Sequence, residues 1–332
     1  MDRVALERRD DRGAASYIRD LTTLITDRMK VMDGTTQWML ADELSWAFRR
    51  MSYDVRAPGT GSVWSRYSPE RPMESFSEIY NGISLDSWEG KTVLDLGAGK
   101  HVPYSLSLLA ILNGAEKCYV VEPEVTPDEE RAHHAYSELL AAALEEPERF
   151  LLARDTDILG RIKLLMDHGG LKALGQGRGA SAFSSGLVER YQGNVEELRL
   201  DDGEVDFVWS FSVLEHIKDL PGALERMYQF TRPGGRHFHT IDFSDHRRYI
   251  RPEKTAWSFL NEERYGGGEN RLRYSEIREM ATKAGFRILE YPIKLKMHPN
   301  TEREREEFSR IGNMPEEDKT TMIAHLILEK AN

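Results

Sequence analysis

The chain has 332 residues, a formal net charge of −11, 40% hydrophobic and 30% charged residues, and a single cysteine, Cys118. The hydrophobic share supports a sizeable core, and the acidic balance argues against a general binder of nucleic acid or of an anionic membrane. No apolar run approaches the ~20 residues of a helical membrane span, Met1–Arg12 lacks the apolar centre of a signal peptide, and one cysteine allows no disulfide within the chain; a cytoplasmic protein is expected.

In chain order, residues 1–13 are highly charged. From Ala14 to about Met51 apolar residues recur at helical spacing, Tyr17, Leu21, Leu24, Ile25 and Met29 first, with a break at Asp33-Gly34 and a second helix after it. Residues 52–73 are rich in Gly, Pro and Ser and carry Tyr53, Trp64 and Tyr67. We expect residues 1–85 to form a helical cap, serving as a lid, as a contact in a homodimer, or as an appendage that only packs on the core.

Thr92–Leu96 is a short apolar run bounded by Gly90 and Gly97, which predicts a buried strand. The chain then turns through Gly97-Ala98-Gly99 into a helix over Val102–Asn113. Such a turn brings backbone close to a ligand, and the following helix start offers it N–H donors. A dinucleotide fingerprint would place a third glycine where Val102 stands, which disfavours an NAD-dependent oxidoreductase. A second strand, Lys117–Glu122, ends in an acid 25 residues after Gly97. One carboxylate can accept hydrogen bonds from both vicinal ribose hydroxyls, so Glu122 is the candidate ribose ligand, against a plain solvated strand-end acid.

A helix over Pro127–Glu146 follows, and then residues 147–185, too long for a simple loop. We read them as an insertion with an amphipathic helix near Ile158–Asp167 and a glycine-rich second half. A third strand is expected at Leu187–Gly193, leading to Asn194-Val195. Glu204–Phe211 reads as a strand, followed by Ser212-Val213-Leu214-Glu215-His216, a helix over Pro221–Thr231, a turn at Arg232–Gly235 and a strand over Arg236–Asp242. Asp242 and His246 lie just at and beyond that strand's carboxyl end, where open α/β sheets bind ligands. Either is a candidate general base. His239, Asp242 and His246 lack any spacing diagnostic of a metal, so no metal site is expected. Residues 247–275 read as loop, with Trp257, Phe259 and Tyr265 beside Gly266–Gly268. Asn270-Arg271-Leu272-Arg273 precedes a helix over Tyr274–Ala284, and Phe286–Lys296 and a last strand over Thr321–Glu329 make a hairpin pair that closes the sheet.

The run Val-Leu-Asp-Leu-Gly-Ala-Gly at 93–99 resembles motif I of the class I S-adenosylmethionine (SAM)-dependent methyltransferases. The succession from Glu204 to Asp242 is similar to that family's second conserved block. His101 departs from the small residue common there. The Asn-Arg-Leu-Arg segment resembles one in bacterial methyltransferases of small molecules and glycans. The resemblance spans about residues 86–332, without the insertion. It implies a Rossmann-like α/β fold, a doubly wound, seven-stranded, mostly parallel sheet with an antiparallel C-terminal strand. It implies SAM as cofactor, with Asp95, Gly97, Ala98 and Gly99 at the methionine end, Glu122 on the ribose and Asn194 on the adenine. Val195, Phe211 and Ser212 complete the cofactor set. The same resemblance makes His216 a structural residue.

For the acceptor the expectation is a small molecule and no nucleic acid, held by Arg271, Tyr249 and Trp64, with Asp242 or His246 as base. Arg273 is expected to pair with surface acids. The rival reading is a catalytically silent SAM-fold protein that binds a partner through its cap.

Overall fold

The computed structural model describes residues 69–83, 87–126, 129–150, 158–167 and 186–332. The chain divides into two compact units, Met1–Gly193 and Asn194–Asn332.

In the first unit, α1 (Glu70–Ile83) carries Phe76, Ile79 and Ile83 on its buried stripe, and Phe76 stacks on Trp88 at 5.2 Å. It packs against α2 (Ser105–Leu112), which is apolar almost all round and buried at every position but one. Strands β1 (Thr92–Leu96), β2 (Lys117–Val121) and β3 (Val188–Tyr191) form a parallel ladder in the order β3-β2-β1. Asp95 pairs with Val120, and Val93–Leu96 are buried throughout, as a parallel strand covered on both faces must be. Helix α3 (Glu129–Glu145) contributes Tyr136, Leu139, Leu140, Ala143 and Leu144 to the core. Of the expected insertion at 147–185, the described residues show a short 3-10 turn at Pro147–Phe150 and α4 (Ile158–Asp167). Of the expected cap at 1–85, they show α1; Trp64 and the helices expected before it lie outside them.

The second unit is built on β4 (Val205–Phe211) and β5 (Thr231–Asp242), which run parallel and are joined by α5 (Leu220–Phe230). Helix α5 starts where Asp219 accepts the Gly222 N–H at 3.1 Å, with Pro221 in the first turn. Its Leu220, Ala223, Leu224, Met227 and Phe230 form one buried stripe, worth about 1.5–3 kcal/mol for each large side chain. The expected turn at Arg232–Gly235 is an excursion inside β5, because Val205 pairs with Thr231 and Phe207 with Arg236. Further on come α6 (Tyr274–Lys283), β6 (Arg287–Glu290), β7 (Ile293–Lys296), α7 (Glu302–Arg310), α8 (Glu316–Thr320) and β8 (Thr321–Glu329).

Strand β8 is antiparallel to β5, and β6 and β7 both lie antiparallel along β8. The closing strand is therefore broken in two at Tyr291-Pro292, so the described residues hold eight strands where seven were expected. Pro292 has no N–H for a ladder. Its carbonyl still accepts from His325 N at 3.0 Å, which keeps the two halves in line.

Candidate functional site

Two groups of candidate residues stand at strand ends, one in each unit. In the first, β1 ends at Leu96 and the chain reverses through Gly97 (φ +66°) and Gly99 (φ +84°), conformations that favour glycine. Gly97 N donates to Val121 O at 2.8 Å. Glu122, only 6% exposed, follows β2 directly. Its Oε2 accepts from Gly99 N at 2.8 Å and its Oε1 from Glu124 N at 2.9 Å. The acid thus ties the glycine turn to the end of β2, and each oxygen keeps a second lone pair for another donor. A Cβ built on Gly99 would meet no atom within 4 Å, so the turn opens onto free space. Lys100 Nζ pairs with Glu124 Oε1 at 3.0 Å on the rim. Asp95 is buried at 2% exposure inside β1. A bare glycine turn with a buried, half-engaged acid beside it suits a neutral ribose and a backbone-read amino acid, and so fits an adenosyl cofactor.

The second unit presents Asn194, exposed, at the start of a 3-10 turn whose Val195 is buried. Phe211 ends β4 half-buried, its ring 5.8 Å from Phe238. Ser212 follows with φ +54°, a strained value for serine, and donates its N–H to Thr240 O at 2.8 Å.

Beyond the ends of β4 and β5 lies a knot of ionisable groups. Asp242 Oδ1 accepts from Ser244 N at 2.9 Å and Ser244 Oγ at 2.6 Å, and its Oδ2 accepts from Tyr249 OH at 3.0 Å. His246 Nε2 is 3.4 Å from Asp242 Oδ2 and 3.9 Å from Glu215 Oε1. Its Nδ1 is 3.4 Å from Glu269 Oε1, which also accepts the His246 backbone N–H at 2.9 Å. The His216 ring stands edge-on to His246 at 5.0 Å.

Burial pushes Glu215, 3% exposed, up to about 8, and the His246 charge only partly opposes it. Burial acts to raise Asp242 too, but the hydrogen bonds from His246 and Ser244 outweigh it and hold Asp242 near 2. For His246, burial is outweighed by the Asp242 bond and by the charges of Asp242, Glu215 and Glu269, so its basicity rises. Burial and the neighbouring His246 lower His216.

The structure therefore brings the two candidate bases, Asp242 and His246, together with Tyr249. It also adds two acids that sequence reasoning missed as functional. Glu215 stood in plain view as the acid after the Ser-Val-Leu run at the end of β4. Glu269 carried no signal, since only the fold returns the Gly266–Gly268 loop to His246.

Arg271 sits elsewhere. Its backbone is left-handed (φ +63°), and its Nη1 donates to the carbonyls of Phe259 at 3.2 Å and Glu262 at 2.7 Å. Arg273 is not on the surface, as expected, but 1% exposed. It donates to the carbonyls of Asp318 at 2.9 Å, Phe243 at 2.6 Å and Thr321 at 3.1 Å. Asn270 of the same segment braces the Glu215 turn, giving Nδ2 to Leu214 O at 2.8 Å and Ile217 O at 2.9 Å. His237 and His239 share a face of β5, as expected, but lie fully inside. Their rings are joined at 3.3 Å, with Thr231 Oγ1 2.8 Å beyond His237 and Ser210 Oγ 2.7 Å beyond His239.

A model of the methyltransferase-domain family matches residues 70–291, more than half of the chain. The chain belongs to this family. It is a SAM-dependent methyltransferase of class I, and SAM is its cofactor. A search of curated proteins by sequence finds no match. Among solved structures, it is similar to the geranyl diphosphate C-methyltransferase of Streptomyces coelicolor A3(2), solved with Mg2+, geranyl diphosphate and S-adenosylhomocysteine. The identity there is 11%, over 82% of this chain and 86% of that one, with a TM-score of 0.44. It is also similar to a SAM-dependent methyltransferase from Mesorhizobium loti, at 13% identity over 79% of this chain and 98% of that one, with a TM-score of 0.39. No helix among the described residues is long and apolar enough to cross a membrane.

Proposed function

We propose that the chain methylates a small-molecule acceptor whose nucleophile, a hydroxyl or an ammonium, must first lose a proton, and that the Asp242–His246 pair takes that proton. The observation that carries this reading is the 3.4 Å approach of His246 Nε2 to Asp242 Oδ2 at the carboxyl end of β5. When bound, SAM supplies a methyl group on a sulfonium, which leaves by in-line displacement and asks the protein mainly for alignment. In this reading Gly97, Ala98, Gly99 and Asp95 hold the methionine end, Glu122 the ribose and Asn194 the adenine, with Val195, Phe211 and Ser212 beside them.

The acceptor proton passes to the carboxylate–imidazole pair, which Ser244 and Tyr249 hold in place. Tyr249, exposed at the site's edge, is the proposed acceptor contact. Arg271 keeps a supporting role in this proposal, since its guanidinium already serves two loop carbonyls. A net charge of −11 and three acids around His246 speak for a small acceptor over a nucleic acid.

The test is transfer of a labelled methyl group from SAM to fractionated metabolite extracts. Asp242→Asn and His246→Gln should each lower the transfer rate by about 10²–10⁴ while SAM affinity holds. Transfer that survives both substitutions would remove the pair from the reaction.

A further inference from the structure

The same unit holds a set of ligand atoms made by His246 and two residues, Glu215 and His216, to which proton transfer gives no role. Glu215, His216 and His246 each offer one ligand atom, and the three atoms lie within 4.8 Å of one another. Around a tetrahedral ion with bonds near 2.1 Å, ligands stand roughly 3.4 Å apart, so side-chain shifts of about an ångström would close the set. The sequence hid it, because the pair at 215–216 and the residue at 246 sit on different loops.

Two further observations point to a ligand. Glu215 Oε2 is buried with no hydrogen-bond partner, on a residue 3% exposed. A native protein rarely leaves such atoms empty-handed. The back of the His246 imidazole is also occupied as a metal site requires. His246 Nδ1 faces the Glu269 carboxylate at 3.4 Å, and Gly268 lies beside His216 Nδ1. Carboxylate–histidine–metal chains orient ligands in this way.

We propose that Glu215, His216 and His246 bind one divalent transition-metal ion, of the Zn2+, Mn2+ or Co2+ type. Two imidazoles and one carboxylate suit that class and not Mg2+, which prefers oxygen alone. Three protein ligands leave a position open, and an acceptor oxygen placed there would become more acidic. With His246 as a ligand, Asp242 remains the carboxylate that receives the acceptor proton. The ion site stands independently of the acceptor reading, since the chain would bind the ion whether or not that reading holds.

The experiment is calorimetric titration of the untagged, chelator-stripped full chain with ZnCl2, repeated with CoCl2 and followed by visible absorption. One ion per chain is expected, with Co2+ bands of a low-symmetry site and little competition from Mg2+. Glu215→Gln, His216→Gln and His246→Gln should each weaken binding at least tenfold, whereas His298→Gln, on an exposed histidine outside the set, should not. His216 is exposed, so its variant keeps the test valid if the Glu215 variant fails to fold. No uptake by the unsubstituted chain, or uptake unchanged in His216→Gln and His246→Gln, would overturn the proposal.

Discussion

Glu122 holds the fold and, in the proposed reading, also takes the ribose. It fastens the glycine turn through Gly99 N and Glu124 N and still has acceptor capacity left. Glu122→Ala should weaken SAM binding by about 1.5–3 kcal/mol, the range for hydrogen bonds to a charged group, as read by calorimetry. Glu122→Gln should recover part of that loss. Unchanged affinity in the alanine variant would remove the ribose assignment.

Arg273 works at the same scale but for stability alone. Burial lowers its guanidinium to about 10, still charged at neutral pH, and carbonyls of Phe243, Asp318 and Thr321 receive its N–H groups. Arg273→Met takes these N–H donors away from the buried carbonyls. Urea unfolding should show a loss of about 3 kcal/mol or more.

At the scale of elements, the parallel strands were readable because burial on both faces writes continuous apolar runs, and α5 because its cap and stripe are local. The break in the closing strand was not, although Pro292 marks it, because a proline says that a ladder is interrupted and not whether the strand resumes. The site divides in the same way. The glycine turn and Glu122 were legible because the spacing between them is set by one βα crossover. The grouping of Glu215, His246 and Glu269 was not, because it depends on where two loops return, and loop paths follow tertiary packing. Arg273 was misjudged for a related reason: a lone charge after a loop gives no sign that three carbonyls wait for it inside.

The excursion in β5 gives a test at this scale. A Cβ at Gly235 would lie 2.7 Å from Arg232 O, a backbone atom that cannot yield cheaply. Gly235→Ala should cost about 1–3 kcal/mol in unfolding free energy and leave SAM affinity nearly unchanged.

For the whole molecule, the buried histidines of β5 set an acid limit. Burial holds His239 down to about 3, and burial together with His239 holds His237 well below its usual value. Above about pH 6.5 both are neutral whether the chain is folded or not, and they add no pH dependence. Below it the unfolded chain takes up protons that the native state refuses, so stability falls as pH drops toward the folded values. Each histidine contributes a slope of up to about 1.4 kcal/mol per pH unit. Denaturant melts at stepped pH should show this slope, reduced in His239→Gln. A flat profile between pH 6 and 4 in the unsubstituted chain would contradict it.

The turn after β1 is the proposed cradle for SAM, and calorimetric titration of the purified chain with SAM, in parallel with Glu122→Ala and with NAD, tests it. One SAM per chain, affinity reduced by the substitution, and no heat from NAD are expected. Absence of SAM binding by a folded chain, or binding indifferent to residue 122, would contradict it.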